Sequence, residues 1–240
     1  MPELTVVMPA YNEEEALAGV VTAWLRALDA ADVDYQLRLY DDGSRDQTLR
    51  IARDLASREA RLKVIGQENR GHGPTLLRGY HEAASPWIFQ TDSDGEIGTE
   101  RFVELWRQRH EHDFLIGSRQ GRQAPPVRRA MTAVAHWMTR GFQLRLQGER
   151  IQDTNIPFRL MRRERLLPLL SYVPPQTFAP NVALSGLAIA EGLRIFQLPV
   201  PSQERAGGVP SLRQLNLLRA AVRSWRETAA IAWRYRRSAP

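Results

Sequence analysis

The 240-residue sequence contains no cysteine, which excludes disulfide bonds and thiolate metal sites and favours a reducing compartment. It has no run of about 20 apolar residues that could cross a bilayer. Its first residues also lack the basic and apolar segments of a signal peptide. We therefore expect a cytoplasmic protein.

Two common nucleotide-binding motifs are also missing. No Gly-x-x-x-x-Gly-Lys-Ser/Thr sequence occurs, and no Gly-x-Gly-x-x-Gly follows the first predicted strand. The five histidines include no pair with the spacing of a zinc site. These absences disfavour a P-loop ATPase and a dinucleotide-dependent dehydrogenase.

The net charge of +6 belongs to one end of the chain. Residues 212–240 contain seven arginines and one acid, whereas the other 211 residues contain 26 basic and 26 acidic side chains. An electrically balanced body argues against nucleic-acid binding. The basic end instead predicts a local anionic partner.

Apolar β-rich runs alternate with amphipathic stretches along the chain. Strands are predicted at 4–8, 35–40, 62–65, 87–90, 114–116, 158–161 and 194–198. Helices are predicted after Asn12 (with Glu13, Glu14 and Glu15 in the first turn) and at 47–58, 74–83, 99–110, 128–146, 164–171, 178–191 and 212–236. Such alternation predicts an α/β fold whose mostly parallel central sheet is flanked by helices.

Four polar loops follow the carboxyl ends of predicted strands, at 9–14, 41–44, 71–74 and 92–96. Ligands bind at that edge of an open α/β sheet. In an extended chain, Asp92, Asp94 and Glu96 would share one face, because they occupy every second position. Carboxylates so close together suit a hard divalent cation. A solvated acidic loop is the alternative.

Together these segments resemble family 2 glycosyltransferases. The resemblance is carried by residues 9–14, 41–44, the Asp-x-Asp of 92–94, and 153–163, and it extends over about 4–211. It is strongest to dolichol-phosphate mannose synthases and bacterial polyprenyl-phosphate glycosyltransferases. It implies a GT-A domain over 1–211, with a nucleotide-sugar-binding half (1–117) and an acceptor half (118–211). A basic amphipathic C-terminal helix would follow at 212–240.

The resemblance also implies roles for individual residues. Its catalytic residues would be Asp92, Asp94 and Arg205, and its ligands for Mg²⁺ or Mn²⁺ would be Asp94 and Glu96. The donor-binding set would be Pro9, Ala10, Tyr11, Glu13, Asp41, Asp42, Asp92 and Ser93. The acceptor-binding set would be Arg119, Arg128, Thr132, Asp153 and Arg159.

The implied reaction is inverting, metal-dependent transfer of a hexose from a GDP- or UDP-sugar to polyprenyl or dolichyl phosphate. Two departures bear on it: Glu96 stands where these synthases often have Gln, and Ile156-Pro157 stands where Ser-Gly is usual. The latter leaves the acceptor open. A hydroxyl acceptor, with Asp153 as general base, is one alternative. A catalytically silent binding protein is another.

The last predicted helix combines arginines with an apolar set at helical spacing. That set is Leu215, Leu218, Val222, Trp225, Ala229 and Trp233. We expect the helix to lie on an anionic membrane surface near a lipid-linked acceptor. The alternative is a helix that packs on the body and leaves its basic side solvated.

Overall fold

The computed structural model of the protein describes residues 1–120, 151–202 and 214–238, with side chains in the last segment described from residue 222. Seven strands are β1 (Leu4–Ala10), β2 (Tyr35–Asp41), β3 (Leu62–Gly66), β4 (Trp87–Thr91), β5 (Phe114–Gln120), β6 (Phe158–Arg162) and β7 (Ile195–Pro201). The described helices are α1 (Leu17–Ala30), α2 (Thr48–Ala56), α3 (His72–Glu82), α4 (Phe102–Arg107), α5 (Arg163–Leu170), α6 (Pro180–Ala190) and α7 (Gln214–Ser238). The predicted α/β class is confirmed, and the predicted helix at 128–146 lies outside the described residues.

All seven strands form one sheet in the order β3-β2-β1-β4-β6-β5-β7. Most neighbouring pairs are parallel, as predicted. Strand β6 is the exception, because it runs antiparallel to both β4 and β5. It joins two parallel groups of strands, β3-β2-β1-β4 on one side and β5-β7 on the other.

This topology brings the ends of several strands to the same edge of the sheet. Ala10 and Asp41 are paired where β1 and β2 end. Thr91, where β4 ends, is paired with Phe158, where the antiparallel β6 begins. The residues just before β6 therefore share an edge with the loops that follow β1, β2 and β4.

An aromatic cluster in the core joins the two halves of the chain. Trp24 of α1 lies 5.1 Å from Phe89 of β4 and 6.2 Å from Phe158 of β6, between ring centroids. Phe102 of α4 completes the cluster, 5.1 Å from Phe89. All four side chains are buried. Tilted and edge-on aromatic pairs are favourable beyond their buried area, so the cluster stabilises the layer beneath the sheet edge.

The predicted start of the first helix at Asn12 is wrong, because α1 begins at Leu17. Asn12 has φ 54° and binds the next loop instead of capping a helix. Its Oδ1 accepts a hydrogen bond from Arg45 N (2.8 Å), and its own N–H donates to Ser44 Oγ (3.0 Å). Glu13 N similarly donates to Thr48 Oγ1 at 2.8 Å. The loops after β1 and β2 therefore form one hydrogen-bonded unit.

Candidate functional site

The two adjacent aspartates at the end of β2 have different surroundings, although the sequence did not distinguish them. Asp41 is 1% exposed, and its Oδ2 accepts a hydrogen bond from Ser44 N at 3.2 Å. Its Oδ1 is buried with no hydrogen-bond partner in the described part of the chain. A buried carboxylate oxygen without a donor is costly, so it predicts a ligand N–H or O–H at this position.

Asp42, by contrast, is already occupied by the protein. Its carboxylate accepts hydrogen bonds from Gln67 Nε2 (2.7 Å), Arg70 N (2.9 Å) and Gly71 N (2.8 Å). These bonds hold the loop between β3 and α3 against the end of β2. Within the Asp41-or-Asp42 pair, the geometry therefore favours Asp41 for ligand contact and Asp42 for shaping the loop.

The remaining predicted donor-binding residues lie around the same edge. Ser93 is buried, and its Oγ donates to the carbonyl oxygen of Pro9 at 2.9 Å, so it ties the loop after β4 to β1. The carbonyl oxygen of Ala10 accepts a hydrogen bond from Asp42 N. Tyr11 is 37% exposed and is one of the few large apolar side chains at the surface of the described protein.

The acidic stretch after β4 is not extended as expected. Strand β4 ends at Thr91, and residues 93–96 form bends, with Gly95 in the left-handed region at φ 71°. The alternation that would place Asp92, Asp94 and Glu96 on one face therefore stops before the first of them. The main chain folds back instead, and Glu96 N donates to Asp94 Oδ1 at 2.9 Å.

Asp94 and Glu96 are 4% and 6% exposed, an unusual burial for two neighbouring carboxylates. Among the described residues, no group of three or more His, Cys, Asp and Glu side chains is arranged to hold a metal ion. The donor chemistry still suits Mg²⁺ or Mn²⁺, which take carboxylate oxygens and complete their shells with water and phosphate oxygens. The two acids thus fit as part of a shared shell, not as a complete protein cage.

Arg119, near the end of β5, connects the two halves of the site. Its Nε lies 3.2 Å from Glu96 Oε1, and its Nη1 donates to Asp153 Oδ2 at 2.8 Å. The Arg119 side chain is 24% exposed, although its Nε is buried, so part of the side chain is within reach of solvent or a ligand. This pairing places Asp153, a predicted acceptor residue, beside the acidic stretch.

The Asp92 carboxylate is surrounded by groups of both signs. Burial raises the pKa of Asp92, and the nearby charge of Asp94 raises it further. The His72 and Arg119 side chains and a hydrogen bond from Gln90 oppose that rise. His72 Nε2 lies 3.9 Å from Asp92 Oδ1, at the start of α3. The stretch after β4 thus faces α3 on one side and Arg119 on the other.

A buried amide network behind Asp92 was missed by the sequence analysis. Gln90 Nε2 donates to Asp92 Oδ1 at 3.1 Å, and Gln90 Oε1 accepts from Asn181 Nδ2 at 3.0 Å. Tyr80 Oη donates to Asn181 Oδ1 at 2.9 Å. The available signal was weak: one amide inside the apolar run of β4 and another inside the apolar helix α6.

Arg159, predicted to contact the acceptor, has no exposed surface. Its guanidinium donates to the carbonyl oxygens of Thr154 (2.9 Å), Ile156 (3.1 Å) and Asn181 (3.3 Å). Burial and these internal hydrogen bonds hold the guanidinium away from solvent, which favours a structural role for Arg159. It fixes the segment that carries Asp153 to the start of α6.

Three predicted residues, Arg128, Thr132 and Arg205, lie outside the described residues. Ser202 is the last described residue before Arg205. Ser202, just beyond β7, forms a bridge with Ile97, which follows the acidic stretch directly.

The sequence model described as "Glycosyl transferase family 2" matches residues 5–167. Among curated proteins, the undecaprenyl-phosphate 4-deoxy-4-formamido-L-arabinose transferase of Edwardsiella ictaluri (strain 93-146) is 26% identical over 208 residues, which cover 85% of this chain and 61% of that protein. The enzyme of the same name from Shewanella sediminis (strain HAW-EB3) is 26% identical over 219 residues, covering 90% of this chain and 63% of the relative. The chain thus spans about three fifths of the length of these relatives.

Solved structures show the same fold at low sequence identity. Mannosyl-3-phosphoglycerate synthase from Rubrobacter xylanophilus superposes with a TM-score of 0.70 at 17% identity, covering 98% of this chain and 74% of that one. Glucosyl-3-phosphoglycerate synthase from Mycobacterium tuberculosis, in complex with Mn²⁺, UDP-glucose and phosphoglyceric acid, gives 0.69 at 17% identity, covering 97% and 80%. These similarities identify the fold as GT-A.

Proposed function

Because the chain belongs to glycosyl transferase family 2, we propose that it moves a sugar, in our prediction a hexose, from a UDP- or GDP-sugar to the phosphate of a polyprenyl lipid. The names of the curated relatives support undecaprenyl phosphate as the acceptor class. The GDP or UDP donor, the inversion of configuration and the dolichyl alternative are parts of the same proposal.

The observation that carries this proposal is the buried acidic stretch at the end of β4 beside the guanidinium of Arg119. Asp94 and Glu96 are almost fully buried, and Arg119 lies 3.2 Å from Glu96. A site with acids on one side and a reachable cation on the other suits a metal-bound diphosphate next to an anionic acceptor.

The nucleoside would lie over the ends of β1 and β2. Asp41 Oδ1 is a buried acceptor atom that lacks a donor in the described protein, and ribose hydroxyls and base N–H groups are donors. The exposed ring of Tyr11 lies in the neighbouring loop and offers a face for the base. Pro9, Ala10, Glu13 and Ser93 would shape this pocket.

Asp94 and Glu96 would hold Mg²⁺ or Mn²⁺, which would neutralise the charge that develops on the diphosphate leaving group. Asp92, oriented by Gln90, would face the ribose or the transferred sugar. Arg205 is proposed to bind the same diphosphate. These assignments keep the predicted division between donor and metal residues.

The transfer itself needs little help from a base. A phosphate oxygen of the acceptor forms the new bond to the anomeric carbon, while the bond from that carbon to the diphosphate breaks and its electron pair leaves with the diphosphate. Attack from the opposite face inverts the anomeric configuration. Because the acceptor is already an anion, it needs positioning and not activation. The positive charges of Arg119 and Arg128, with the hydroxyl of Thr132, would position its phosphate.

A thermal-shift screen of UDP- and GDP-sugars with and without Mn²⁺ tests the donor assignment. A ligand at 100 times its Kd stabilises a protein by about 2.7 kcal/mol, which gives a clear shift. We expect at least one Mn²⁺-dependent donor, with the shift lost in Asp94→Ala. If no nucleotide sugar binds or is hydrolysed, the silent binding protein becomes the better explanation.

A hydroxyl acceptor remains the second candidate, and the position of Asp153 at the edge of the site favours testing it. The solved neighbours are named for 3-phosphoglycerate products. Transfer to undecaprenyl phosphate and to phosphoglyceric acid should be compared by mass spectrometry in wild type and Asp153→Asn. Lipid transfer that survives this substitution supports the phosphate acceptor, whereas hydroxyl transfer that is lost supports Asp153 as a base.

A further inference from the structure

The helix α7 has two unlike sides, and one of them is packed. Ser224, Thr228, Ile231 and Ala232 are buried, at 9%, 1%, 2% and 8% exposure. Further along the helix, the ring of Tyr235 lies 5.3 Å from that of Tyr172. The inner side therefore packs on the body, as one of the two alternatives for this helix predicted.

The single acid of residues 212–240, Glu227, is also used on the inner side. Its carboxylate accepts hydrogen bonds from Phe178 N and Arg223 Nε, both at 2.7 Å. Arg223 Nη2 in turn donates to the carbonyl oxygen of Gln176 at 3.1 Å. These bonds attach α7 to the loop before α6 and leave the outer side without a negative charge of its own.

The outer side combines exposed apolar and basic side chains. Val222, Trp225 and Trp233 are 50%, 39% and 57% exposed, although large apolar side chains are rarely so exposed elsewhere in the described protein. Arg226 and Arg237 are exposed on the same side, with the Arg237 guanidinium 3.9 Å from the centre of the Trp233 ring. We call these five residues the outer face of α7; Val222 and Arg226, and Trp233 and Arg237, are four apart, and 226 and 233 are seven apart, so the set lies along one side of the helix.

We propose that the outer face of α7 binds the surface of an anionic bilayer. Tryptophan partitions into the headgroup region, and arginine is attracted to anionic lipid phosphates, so one surface accommodates both. A second copy of the chain is a poorer occupant, because it would bring arginines against arginines. No helix in the described part of the chain is both long and apolar enough to cross a membrane. A helix with one basic and apolar side of this kind binds in the plane of the interface.

A series of contacts relates this face to the candidate site. Glu227 holds Phe178, and the carbonyl oxygens of Thr177 and Phe178 lie against Gly73 in the first turn of α3. A Cβ at Gly73 would lie 2.2 Å from the Thr177 oxygen, so only glycine permits this close approach. His72, next to Gly73, faces Asp92. This part of the inference rests on the proposed lipid-phosphate acceptor. With α7 on the bilayer, the candidate site would face a substrate held in the same bilayer.

Vesicle sedimentation of the full chain tests the proposal without donor or acceptor, so its outcome is independent of transfer activity. Vesicles of phosphatidylcholine are compared with vesicles that also contain phosphatidylglycerol. Each arginine near an anionic surface contributes about fivefold in affinity, and the glutamates add repulsion, so Arg226→Glu with Arg237→Glu should weaken binding to the anionic vesicles by more than roughly 25-fold. Trp233→Ala should weaken it while the net charge stays unchanged.

The matched control reverses two exposed arginines elsewhere, Arg58→Glu with Arg107→Glu. It changes net charge equally and should retain binding to anionic vesicles. The temperature of thermal unfolding should be the same for the two double variants, since all four substituted side chains are exposed. The proposal is overturned if both double variants lose vesicle binding equally, or if the wild-type chain shows no preference for anionic vesicles. A dimer by light scattering that Trp233→Ala dissociates would assign the face to a second copy and overturn it as well.

Discussion

Gln90 and Asp92 are joined by a 3.1 Å hydrogen bond in which the buried amide Nε2 donates to the carboxylate Oδ1. The other end of the same amide accepts a hydrogen bond from Asn181 Nδ2 at 3.0 Å. Since Asn181 lies in the first turn of α6, an element of the second half of the chain helps to orient a carboxylate of the first half. Gln90 thus acts on the site through Asp92.

We expect Gln90→Leu to lower kcat roughly 10- to 100-fold, the usual cost of losing a group that orients a ligating or catalytic side chain. It should also lower the free energy of unfolding by about 1–3 kcal/mol, because Asn181 loses its acceptor inside the protein. Donor KM should change less than kcat. Steady-state kinetics and urea unfolding measure the two effects separately.

Tyr80→Phe is the matched control for Gln90→Leu. It removes a hydroxyl that donates to Asn181 Oδ1 at 2.9 Å, with Gln90 Oε1 a longer partner at 3.3 Å, but makes no bond to Asp92. Stability should fall by a similar amount while kcat stays near that of wild type. Equal losses of kcat in the two variants would mean that the network acts only on folding.

Asp41→Asn should weaken binding of the nucleotide-sugar donor and leave folding nearly unchanged. A hydrogen bond to a charged group contributes about 1.5–3 kcal/mol, so Kd should rise roughly 10- to 100-fold. Isothermal titration with UDP and GDP in the presence of Mn²⁺ gives the affinity directly. The expected loss follows from the buried Oδ1 of Asp41, which only a ligand would pair within the described site.

Asp42→Asn should show the opposite pattern. The variant replaces a carboxylate oxygen that accepts from Arg70 N or Gly71 N with an amide that cannot accept. We expect the free energy of unfolding to fall by about 1–3 kcal/mol. If Asp42→Asn abolishes nucleotide binding at full stability while Asp41→Asn has no effect, the two roles are reversed.

Arg119→Gln should raise KM for the lipid-phosphate acceptor more than KM for the donor, by roughly tenfold, because a charged contact to phosphate is lost. Two-substrate kinetics with undecaprenyl phosphate separates the two constants. Arg58→Gln removes an exposed arginine away from the edge and serves as the control. An unchanged acceptor KM in Arg119→Gln would exclude a role in acceptor binding.

Asp113 should make stability depend on pH at the opposite edge of the sheet. Hydrogen bonds from Arg194 hold its pKa below the usual range, and the Arg162 charge acts in the same direction. A carboxyl whose pKa is lowered by folding stabilises at neutral pH, and that contribution is lost as pH falls through the folded-state pKa. The other partner, Arg194, is half-exposed, which limits the effect through solvent screening.

Urea unfolding of Asp113→Asn at several pH values measures this contribution. The difference from wild type should be about 2 kcal/mol near neutral pH and should shrink in acid. Asp54→Asn, which breaks an exposed pair with Arg50, is the control and should show almost no difference at either pH. A difference for Asp113→Asn that stays constant with pH would contradict the assignment.

Much of the fold and the location of the site could be predicted from the sequence. The apolar runs gave the strands to within a few residues, and Asp92, Asp94 and Glu96 could be assigned to the end of β4 because the run stops there. The loops after the predicted parallel strands were then expected to share one edge of the sheet, since the carboxyl ends of parallel strands lie together. The confirmed family and fold followed from segments that lie on this edge.

The roles that depend on long-range partners could not be predicted in this way. Asp41 and Asp42 are adjacent and chemically identical, and they differ only in what the loop before α3 brings to them. Arg159 was predicted to contact the acceptor, but its guanidinium is buried against the carbonyl oxygens of Thr154, nearby in the chain, and of Asn181 in α6. Burial of that kind is set by tertiary packing, so the local sequence pattern does not predict it.

The position of β6 between β4 and β5 constrains how the protein folds during synthesis. Both neighbours of β5, the strands Phe158–Arg162 and Ile195–Pro201, come later in the chain than β5 itself. On the ribosome, β5 therefore emerges before either strand that can pair with it, and such long-range pairing is slow. Until β6 is available, the edge of β4 is exposed to aggregation, and one edge of β5 stays exposed until β7 is made, so the sheet and the site edge are completed late in synthesis.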